Sequence, residues 1–589
     1  MHGPSLARSA LVGLGVLSPL ALLAAPAVAQ PAEAPATEAP SATPAPIAAP
    51  APVAAPAPQV APAPVAAPKA VAAPVAPAPA PKTGFIERLV LDDGRTPVAE
   101  AEAGVYRVLV HGELQLRGTA QSDLPLEPSK SGVEGTSLGQ SKYLYQWFRV
   151  TPRVQFGDWL EVVGQMDVPR GMSVGDVTHG VGAADVPLDE RMPFGVEPRW
   201  LYAEAHTPIG NLKAGQQGSH WGMGLVANDG DHASLFGDYR RGDLSERVLF
   251  ATKPLGKESP FAVAVAGDLV FRDDQAKLVD GDHAYQGVLV LQYEKDAHQA
   301  GLYGVRRHQT RDRATREGVP YADGLDVTVI DVAGKTAYPL AGFGGYVFGQ
   351  FEAAYIRGDT TLLRSIDQLQ SGEKEQIRSW GGAAQVGVVR EKGEGDARFG
   401  SLMAALEWGW ATGDADPNDG TSKRFTFDRN HNVGLVMFQA LGWKTARAAV
   451  IAQDPSLSAR AAHGLELLPS NGGVFGATYV NPTVIVRPMK SLDLKAGIVL
   501  ARTTADVVDP YRLNSFGRIA NWDGGDAKRH DLGVEIDLGT EWRAALDYGL
   551  TLQLGAQGGY LIPGHAFDDA SGAAMPAQYV AVGRVGLQY

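Results

Sequence analysis

The sequence predicts an all-β fold: a transmembrane antiparallel up-and-down β-barrel of about 18 strands, preceded by a disordered Pro/Ala-rich tail. Three observations support this prediction. From residue 105 onwards, apolar and polar side chains alternate with a period of two, as in a strand that has one apolar face. The connections between these segments alternate between short and long. Many segments span 10–14 residues, and a tilted strand needs roughly 9–11 residues to cross a bilayer.

Composition excludes several classes of protein. The chain has 589 residues, no Cys and a net charge of −13. Without Cys there are no disulfide frameworks, thiolate nucleophiles or Cys-ligated metals. The acidic balance argues against binding to nucleic acid, which requires a basic surface. No segment after residue 29 reaches the apolar length of a transmembrane helix, so strands are the expected way to cross a membrane.

The N-terminal region has the features of an exported protein. Arg8 precedes an apolar stretch at 11–25, and Ala27-Val28-Ala29 fits a small-residue cleavage site, so 1–29 is expected to be a signal peptide. Residues 30–82 are mostly Pro and Ala and cannot bury a core, which predicts a disordered periplasmic tail. A short connecting segment, 83–104, leads to the barrel at 105–589. The expected location is the outer membrane of a Gram-negative bacterium.

The strands follow from the alternation of apolar and polar residues. In the first strand, Val108 and Leu116 lie on one face and Glu113 and Arg117 on the other. The expected strands are 105–117, 143–156, 159–168, 199–207, 211–224, 246–254, 260–272, 283–294, 300–309, 324–335, 345–357, 378–390, 398–412, 474–487, 491–502, 528–539, 543–559 and 577–589.

Loop length varies with position in the way that outer-membrane barrels require, with tight periplasmic turns and long outer loops. The short turns are expected at 157–158, 207–211, 255–259, 295–299, 488–491 and 540–542. The long loops are expected at 118–142, 169–198, 225–245, 310–323, 359–376 and 503–527.

The number of strands should be even because the first strand begins, and the last strand ends, on the periplasmic side. This favours 18 strands, with 16 or 20 as alternatives. A hairpin at 431–453 would give 20, but 433–438 does not alternate and the Ala-rich run 446–452 favours a helix. Residues 413–473 are therefore expected to form one long outer loop. Its apolar block would fold into the lumen as a lid, against inward aromatics such as Tyr143, Tyr145 and Trp147, or alternatively it would pack on neighbouring outer loops.

The last strand carries an assembly signal. Gly583, Val585, Leu587 and Tyr589 share one face, and the strand ends on the aromatic Tyr589. Such a strand resembles the signal that the barrel-assembly machinery of bacterial outer membranes reads. The expected partners are therefore that machinery, outer-membrane lipid and a periplasmic partner of the Pro/Ala tail.

Several short motifs resemble a known family. The run Asp531-Leu-Gly-Val-Glu535-Ile-Asp537-Leu and the run 559–564 are similar to the closing strands of the alginate-export type of porin, as are 408–414 and 215–224. The layout of 140–589 also resembles a little-characterised group of large myxobacterial outer-membrane barrels. The resemblance implies an 18-stranded monomeric barrel with a loop-gated conduit. The family's conduit is strongly cationic, whereas the inward face here is mixed and slightly acidic.

That inward face is expected to line a pore. The function predicted from it is a porin-like channel for passive passage of small hydrophilic solutes or for export of a polymer. The alternative is a non-channel, envelope-organising or adhesion barrel that acts through its outer loops and its tail. A solvated lumen without any substrate would also explain the charges. The expected pore-lining residues are Arg107, His111, Glu113, Arg117, Arg149, Arg153, Glu161, Asp167, Glu204, Lys213, Arg247, Glu294, Glu352, Glu407, Asp531, Glu535, Asp537, Asp547 and Arg584, with Lys495 beside them.

Catalysis is not expected, because none of the 13 His residues has the spacing of a nucleophile's base or of a metal-ligand motif. His206, like His111, is taken as a wet polar residue of the lumen. No cofactor is expected other than calcium. Asp414, Asp416 and Asn418 alternate as the oxygen ligands of a calcium loop do, although the Gly and the twelfth residue depart from the EF-hand pattern.

Overall fold

The computed structural model describes residues 99–103, 106–127, 135–178, 195–232, 234–237, 242–311, 315–316, 319–320, 323–340, 342–361, 373–390, 401–417, 419–453, 468–489 and 491–589. The signal peptide, the Pro/Ala tail and most of 83–104 lie outside these residues and stay predictions. The same holds for Asn418. The account below concerns the compact unit Ala78–Tyr589.

The described part of this unit forms a closed antiparallel barrel of 18 strands. Each strand pairs with its neighbours in the sequence, and the last strand pairs with the first from Glu113↔Gln588 to Gln121↔Val580, which closes the sheet. The strands are β1 (Tyr106–Gln121), β2 (Lys142–Phe156), β3 (Leu160–Gly175), β4 (Gly195–Thr207), β5 (Gly210–Gly218), β6 (Leu244–Thr252), β7 (Phe261–Arg272), β8 (Asp282–Lys295), β9 (His298–Arg311), β10 (Asp323–Leu340), β11 (Gly345–Thr360), β12 (Glu375–Arg390), β13 (Ser401–Ala411), β14 (Ala477–Met489), β15 (Leu492–Thr503), β16 (Asp531–Ala545), β17 (Thr551–Pro563) and β18 (Gln578–Gln588). The predicted fold class and strand number are confirmed.

Smaller elements lie in the connections. Two α-helices are described, α1 (Met437–Gln453) and α2 (Pro510–Phe516), and neither they nor any other described helix is long and apolar enough to cross a membrane. Short strands occur at Ala99–Ala103, Pro125–Glu127, Thr136–Ser137, Thr315–Arg316, Val319–Pro320 and Thr421–Ser422, and 3₁₀ turns at Leu278–Asp280, Asp547–Gly549 and His565–Phe567.

The expected difference in loop length between the two ends of the barrel is confirmed. At the turn end, connections are as short as 208–209 and 296–297. At the loop end they include 219–243, 412–476 and 504–530. By the usual orientation of such barrels, the turn end faces the periplasm.

The two faces of the wall differ as they do in a barrel that spans a membrane. On β1, Leu114 and Leu116 are exposed on the outside, whereas the alternate residues Glu113, Gln115 and Arg117 are buried inside. The same holds on most of the other strands, where exposed aliphatic and aromatic side chains form the exterior. An apolar exterior around a polar interior matches an outer-membrane location.

The turn predicted at 540–542 is wrong. Strand β16 continues to Ala545, with Trp542 opposite Leu554, and the chain turns at 546–550 around Tyr548 (φ 63°). The alternation continues through this region, because Trp542 is exposed outside while Glu541 is buried inside. Asp547 therefore lies in the turn and not on the strand to which the sequence assigned it.

The predicted helix in the long loop is confirmed, and the 20-strand alternative is not. Residues 437–453, where a further hairpin was the alternative, form helix α1. The apolar block 433–438 is not a strand; most of it is buried together with the start of the helix. An Ala-rich segment without alternation has no apolar face to offer to lipid, and as a helix it is enclosed on all sides, since none of residues 437–451 is exposed.

Candidate functional site

Two of the long connections at the loop end of the barrel fold inward and pack against side chains that the wall strands direct into the lumen. We call them the first inner segment (219–232 and 234–237, after β5) and the second inner segment (425–453, between β13 and β14). They also bond to each other, because the N–H of Asp428 donates to the carbonyl of Leu225 at 2.7 Å. The two inner segments therefore fill part of the lumen, and contacts with the wall strands hold each of them in place.

The first inner segment is attached to strands β9–β11. Its Trp221 ring stacks on Tyr303 of β9, with centroids 5.5 Å apart, and its Nε1 donates to Asp331 of β10 at 3.1 Å. Glu352 of β11 accepts the backbone N–H of Met223 and, at 3.0 Å, that of Leu225. These hydrogen bonds to backbone donors fix the position of this segment on the wall.

The second inner segment is attached to β16 through the start of helix α1. One carboxylate, that of Glu535, accepts the N–H groups of Leu435, Val436 (2.7 Å) and Met437 (2.7 Å). The first N–H groups of a helix lack partners within the helix, and its dipole favours a negative charge there. Glu535 thus acts as a helix cap that the barrel wall supplies.

His431 links both inner segments to β13 and β14. Its Nδ1 lies 3.0 Å from the carbonyl of Met223, and its Nε2 lies 3.3 Å from Glu407 of β13. Tyr479 of β14 donates to the same carboxylate at 2.7 Å. Burial opposes the charged imidazolium, but the hydrogen bond and the charge of Glu407 outweigh burial and raise the pKa of His431. The group thus tends to hold a proton beside Glu407.

Helix α1 is also attached to neighbouring outer loops. Lys444 has no exposed side-chain surface, and its Nζ lies 2.8 Å from both carboxylate oxygens of Asp523 and 3.0 Å from the carbonyl of Pro125. These contacts join α1 to loops 504–530 and 122–141. Arg447 reaches Glu127 at 3.4 Å on the same side.

A group of arginines surrounds Trp147 on strands β1–β3. The guanidinium carbons of Arg149, Arg117 and Arg170 lie 4.5, 5.3 and 5.6 Å from the centre of its ring. Asp167 lies 2.7 Å from Arg149 and 2.8 Å from Arg170, so part of this positive charge is neutralised within the wall.

The first inner segment reaches this basic group as well. Its Asp231 pairs with Arg149 and, at 3.0 Å, with the fully buried Arg199 of β4. Arg199 also donates to the carbonyl of Asp229 at 2.7 Å and to Gln165 at 2.6 Å. The segment is thereby fixed on two opposite parts of the wall.

Two cavities lie on either side of the place where the inner segments meet. Cavity 1, about 230 Å³, lies toward the loop end and is lined by Arg117, Tyr143, Tyr145, Arg170 and Arg429 among others. Cavity 2, about 440 Å³, lies toward the turn end and is lined largely by polar side chains that include Gln292, Gln299, Lys335, Gln350 and Gln385.

Asn432 lines both cavities. Its N–H donates to Ser234 Oγ at 3.3 Å, across the contact between the second and the first inner segment. Gly237 lies against the same side chain, since a Cβ there would approach Asn432 to 3.2 Å. Asn432 therefore lies between the two cavities, at the contact of its segment with Ser234.

Most of the expected pore-lining residues fall on inward positions of the wall, but some lie at its ends. Three of them are exposed at the turn end, namely Arg107, Arg153 and Glu294. Asp531 is exposed at the loop end, and Asp547 lies in a turn. On inward positions by strand alternation are His111, Glu113, Arg117, Arg149, Glu161, Asp167, Glu204, His206, Lys213, Arg247, Glu352, Glu407, Lys495, Glu535, Asp537 and Arg584.

The structure brings some of these residues together. Arg149 pairs with Asp167, Glu204 lies opposite Lys213 in the β4–β5 register, and Arg247 pairs with Asp268 at 2.7 Å. Asp331, Arg170, Arg199, Asp231 and Asp268 were not among the predicted residues. Glu541, the partner of Arg584, was not predicted either, because a turn was expected at 540–542.

The predicted calcium loop is described only in part. The carboxylate of Asp414 accepts the N–H groups of Asp416 at 3.0 Å and Lys423 at 2.9 Å. These bonds are those of a turn, and Asn418 lies outside the described residues. Calcium binding at this loop stays a hypothesis.

The terminal strand ends in a close contact. Gly583 and Val585 lie on outward positions of β18, and the role of this strand as an assembly signal stays a prediction. The backbone of Tyr589 exchanges two 3.0 Å hydrogen bonds with Gly112 of β1.

No known protein-family model and no curated protein matches this sequence. Similar solved structures include OccK5 (OpdH) of Pseudomonas aeruginosa, with 9% identity, 82% of this chain and 97% of that chain covered, and a TM-score of 0.41. OccAB1 of Acinetobacter baumannii has 11% identity, coverages of 81% and 96%, and a TM-score of 0.40. Pseudomonas aeruginosa OpdK, solved with vanillate, has 9% identity, coverages of 82% and 98%, and a TM-score of 0.40.

Proposed function

We propose that this protein is an outer-membrane channel for small hydrophilic solutes, narrowed by its two inner segments. The observation that carries the proposal is Asn432, which lines one cavity toward the loop end and another toward the turn end. A path between the two ends of the barrel would pass this residue and Ser234. An 18-stranded barrel is wide enough to leave an aqueous path beside chain that folds into it.

The lining favours neutral or weakly charged solutes. Amides are the most numerous polar side chains that line cavity 2, and they offer both donors and acceptors to hydroxyl-bearing molecules. Arginines of the wall are paired with acids, as Arg149 is with Asp167 and Arg247 with Asp268. An anionic polymer such as alginate would need uncompensated positive charge, so we do not extend the proposal to polymer export.

Planar-bilayer recordings of the purified, folded protein test the proposal. The expected result is a stable single-channel current that rises in Asn432→Ala and falls in Asn432→Trp, because the two variants widen and narrow the same point. The control is Asn481→Ala, on the wall of cavity 2 and away from the contact between the segments. Equal currents in Asn432→Ala and Asn432→Trp would contradict the proposed path.

The alternative is a barrel that does not conduct and acts through its outer loops and tail. It is favoured by the number of attachments that hold the inner segments, above all the buried pair Lys444–Asp523. Deleting 425–470 distinguishes the two functions. A channel should conduct more after the deletion, whereas a folded deletion variant that still carries no current would support the alternative. A channel should also keep its permeability when 31–81 is removed.

A further inference from the structure

The first inner segment brings two histidines and an aspartate together on the wall of cavity 2. The rings of His220 and His232 stack with centroids 3.6 Å apart, and His232 Nδ1 lies 2.9 Å from Asp229 Oδ1. One ligand atom from each of these three side chains lies within 4.8 Å of the others. Both histidines line cavity 2, so the group faces the lumen.

The backbone that presents these side chains is held by a tight turn. Asn228 Oδ1 accepts the N–H of Gly230 at 3.0 Å, and Asp229 Oδ1 accepts the N–H of Asp231 at 2.9 Å. Gly230 has φ 74°, which glycine adopts without strain. Arg199 on the wall donates to the carbonyl of Asp229. The turn reverses the chain, so that His232 returns over His220.

The imidazole of His220 is incompletely satisfied. Its Nδ1 is buried and makes no hydrogen bond with the described residues. A buried polar atom without a partner costs free energy, and such atoms are uncommon in folded proteins. A bound ion would supply the missing interaction.

We propose that His220, Asp229 and His232 bind a late first-row transition-metal dication, of which Zn²⁺ and Cu²⁺ are the representative cases. Two imidazoles and one carboxylate suit these ions, whereas Ca²⁺ and Mg²⁺ prefer oxygen ligands alone. Three protein ligands leave a position open toward the cavity for water or a solute.

The site needs only a small adjustment to close on an ion. Ligands of a tetrahedral ion at about 2.1 Å lie roughly 3.4 Å apart, so ligand atoms that now lie within 4.8 Å of one another must approach by up to about 1.4 Å. His232 Nδ1 and Asp229 Oδ1 already lie 2.9 Å apart. His232 can make this movement because 43% of its side chain is exposed. His220 and the carbonyl of Asp229 stay fixed by their surroundings.

Copper titration of the full-length, folded protein in detergent tests the site directly. The expected result is one equivalent of Cu²⁺ with the electron paramagnetic resonance splitting of two imidazole nitrogens, displaced by Zn²⁺. His232→Ala should weaken binding by about tenfold or more, since it removes one of three ligands. A spectrum without two nitrogen ligands would overturn the proposal, and because it is recorded on the unaltered protein, it decides even if a variant fails to fold.

The chain offers a matched control. His565 lies 3.0 Å from Asp568 with the same spacing in the sequence as Asp229 and His232, but it is exposed in the loop 564–577. His565→Ala should leave Cu²⁺ affinity within about twofold of the unaltered protein, because one His–Asp pair holds such ions weakly. An equal loss in His565→Ala and His232→Ala would show nonspecific binding and overturn the proposal.

The effect of the ion on transport rests on the proposed channel, whereas its binding does not. An ion at this site would add positive charge beside the contact between Ser234 and Asn432, so Zn²⁺ should reduce the current carried by cations, reversibly on addition of a chelator. Stoichiometric binding to a barrel without any current would contradict the channel and leave the site. A current that Zn²⁺ does not change, together with no stoichiometric binding, would contradict the site and leave the channel.

Discussion

The carboxylate of Glu535, on wall strand β16, accepts the N–H of Met437, the first residue of helix α1, at 2.7 Å. The partners are far apart in the sequence, and one belongs to the wall while the other belongs to the chain inside it. The bond therefore reports directly on whether the second inner segment is attached. Weakening it should shift the segment without altering strand pairing.

Glu535→Gln should raise the mean conductance and the current noise. The amide removes the negative charge from the helix start and places an NH₂ near backbone donors, which costs about 1–2 kcal/mol. The ratio of detached to attached segment should rise roughly 5- to 30-fold. Glu161→Gln is the control, since Glu161 is a wall carboxylate whose described partners, Arg153 and Gln155, lie on the neighbouring strand. An identical effect of both substitutions would contradict the capping role.

Much of the fold could be predicted because it is encoded locally. Alternation identifies each strand, and Gly, Asp and Asn in the connections identify many of the turns. The prediction failed at 540–542, where a turn was expected although Glu541 and Trp542 keep the alternation of inside and outside. Continuing the period would have extended β16 to its observed end.

The site was less accessible from sequence because its contacts join distant residues. Alternation places Glu352 and Glu535 on the inward face, but nothing local indicates that they accept the N–H groups of Met223 and Met437. The register shift beside Trp147 in the β2–β3 pairing also hides Arg170, which simple alternation does not bring to the same group as Arg149. A sequence pattern assigns a face to a side chain, whereas its partner depends on how the loops fold.

Breaking the buried pair of helix α1 should destabilise the second inner segment. Lys444→Met leaves Asp523 buried without its cation, at a cost of about 3–5 kcal/mol, and should accelerate proteolysis within 425–453. Adding Asp523→Asn should restore most of the protection because both groups are then neutral. Lys423→Met is the control: this exposed lysine pairs with Asp419 at 2.6 Å in the same loop, and its loss should cost about 0–1 kcal/mol. No recovery in the double variant would show that packing, not charge, is responsible.

The attachment of the second inner segment should weaken as pH rises. Burial, and then the charge of Asp274, raises the pKa of Asp428 from 3.8 to about 7. Asp243, Arg429 and His431 are the other charged or titratable groups that face it. When the second inner segment is attached, the Asp428 carboxyl binds a proton more tightly than when the segment is detached. The free energy of attachment is therefore most favourable below about pH 4 and weakens as the pH rises to about 7.

Thermal unfolding and current noise measured from pH 5 to 8 check this direction. Asp428→Asn should flatten the dependence, and the remaining slope should come from the other buried loop groups whose pKa is raised, namely Asp243, His431 and Asp509. A variant that keeps the full slope of the unaltered protein would show that other groups control it.

Closure of the barrel should depend on the absence of a side chain at Gly112. A Cβ at this position would lie 2.0 Å from the ring of Tyr589, and the two residues exchange a pair of backbone hydrogen bonds where β18 meets β1. Gly112→Ala should therefore displace the terminal ring and lower the yield of the heat-modifiable, folded barrel. Gly118→Ala is the matched control, because Gly118 lies on the same strand and face and a Cβ there meets nothing within 4 Å. Adding Tyr589→Ala to Gly112→Ala should relieve the clash. Equal folding yields for the two glycine variants would mean that the ring of Tyr589 moves aside at little cost. Closure of the barrel would then depend on the backbone pairing of β1 and β18 alone.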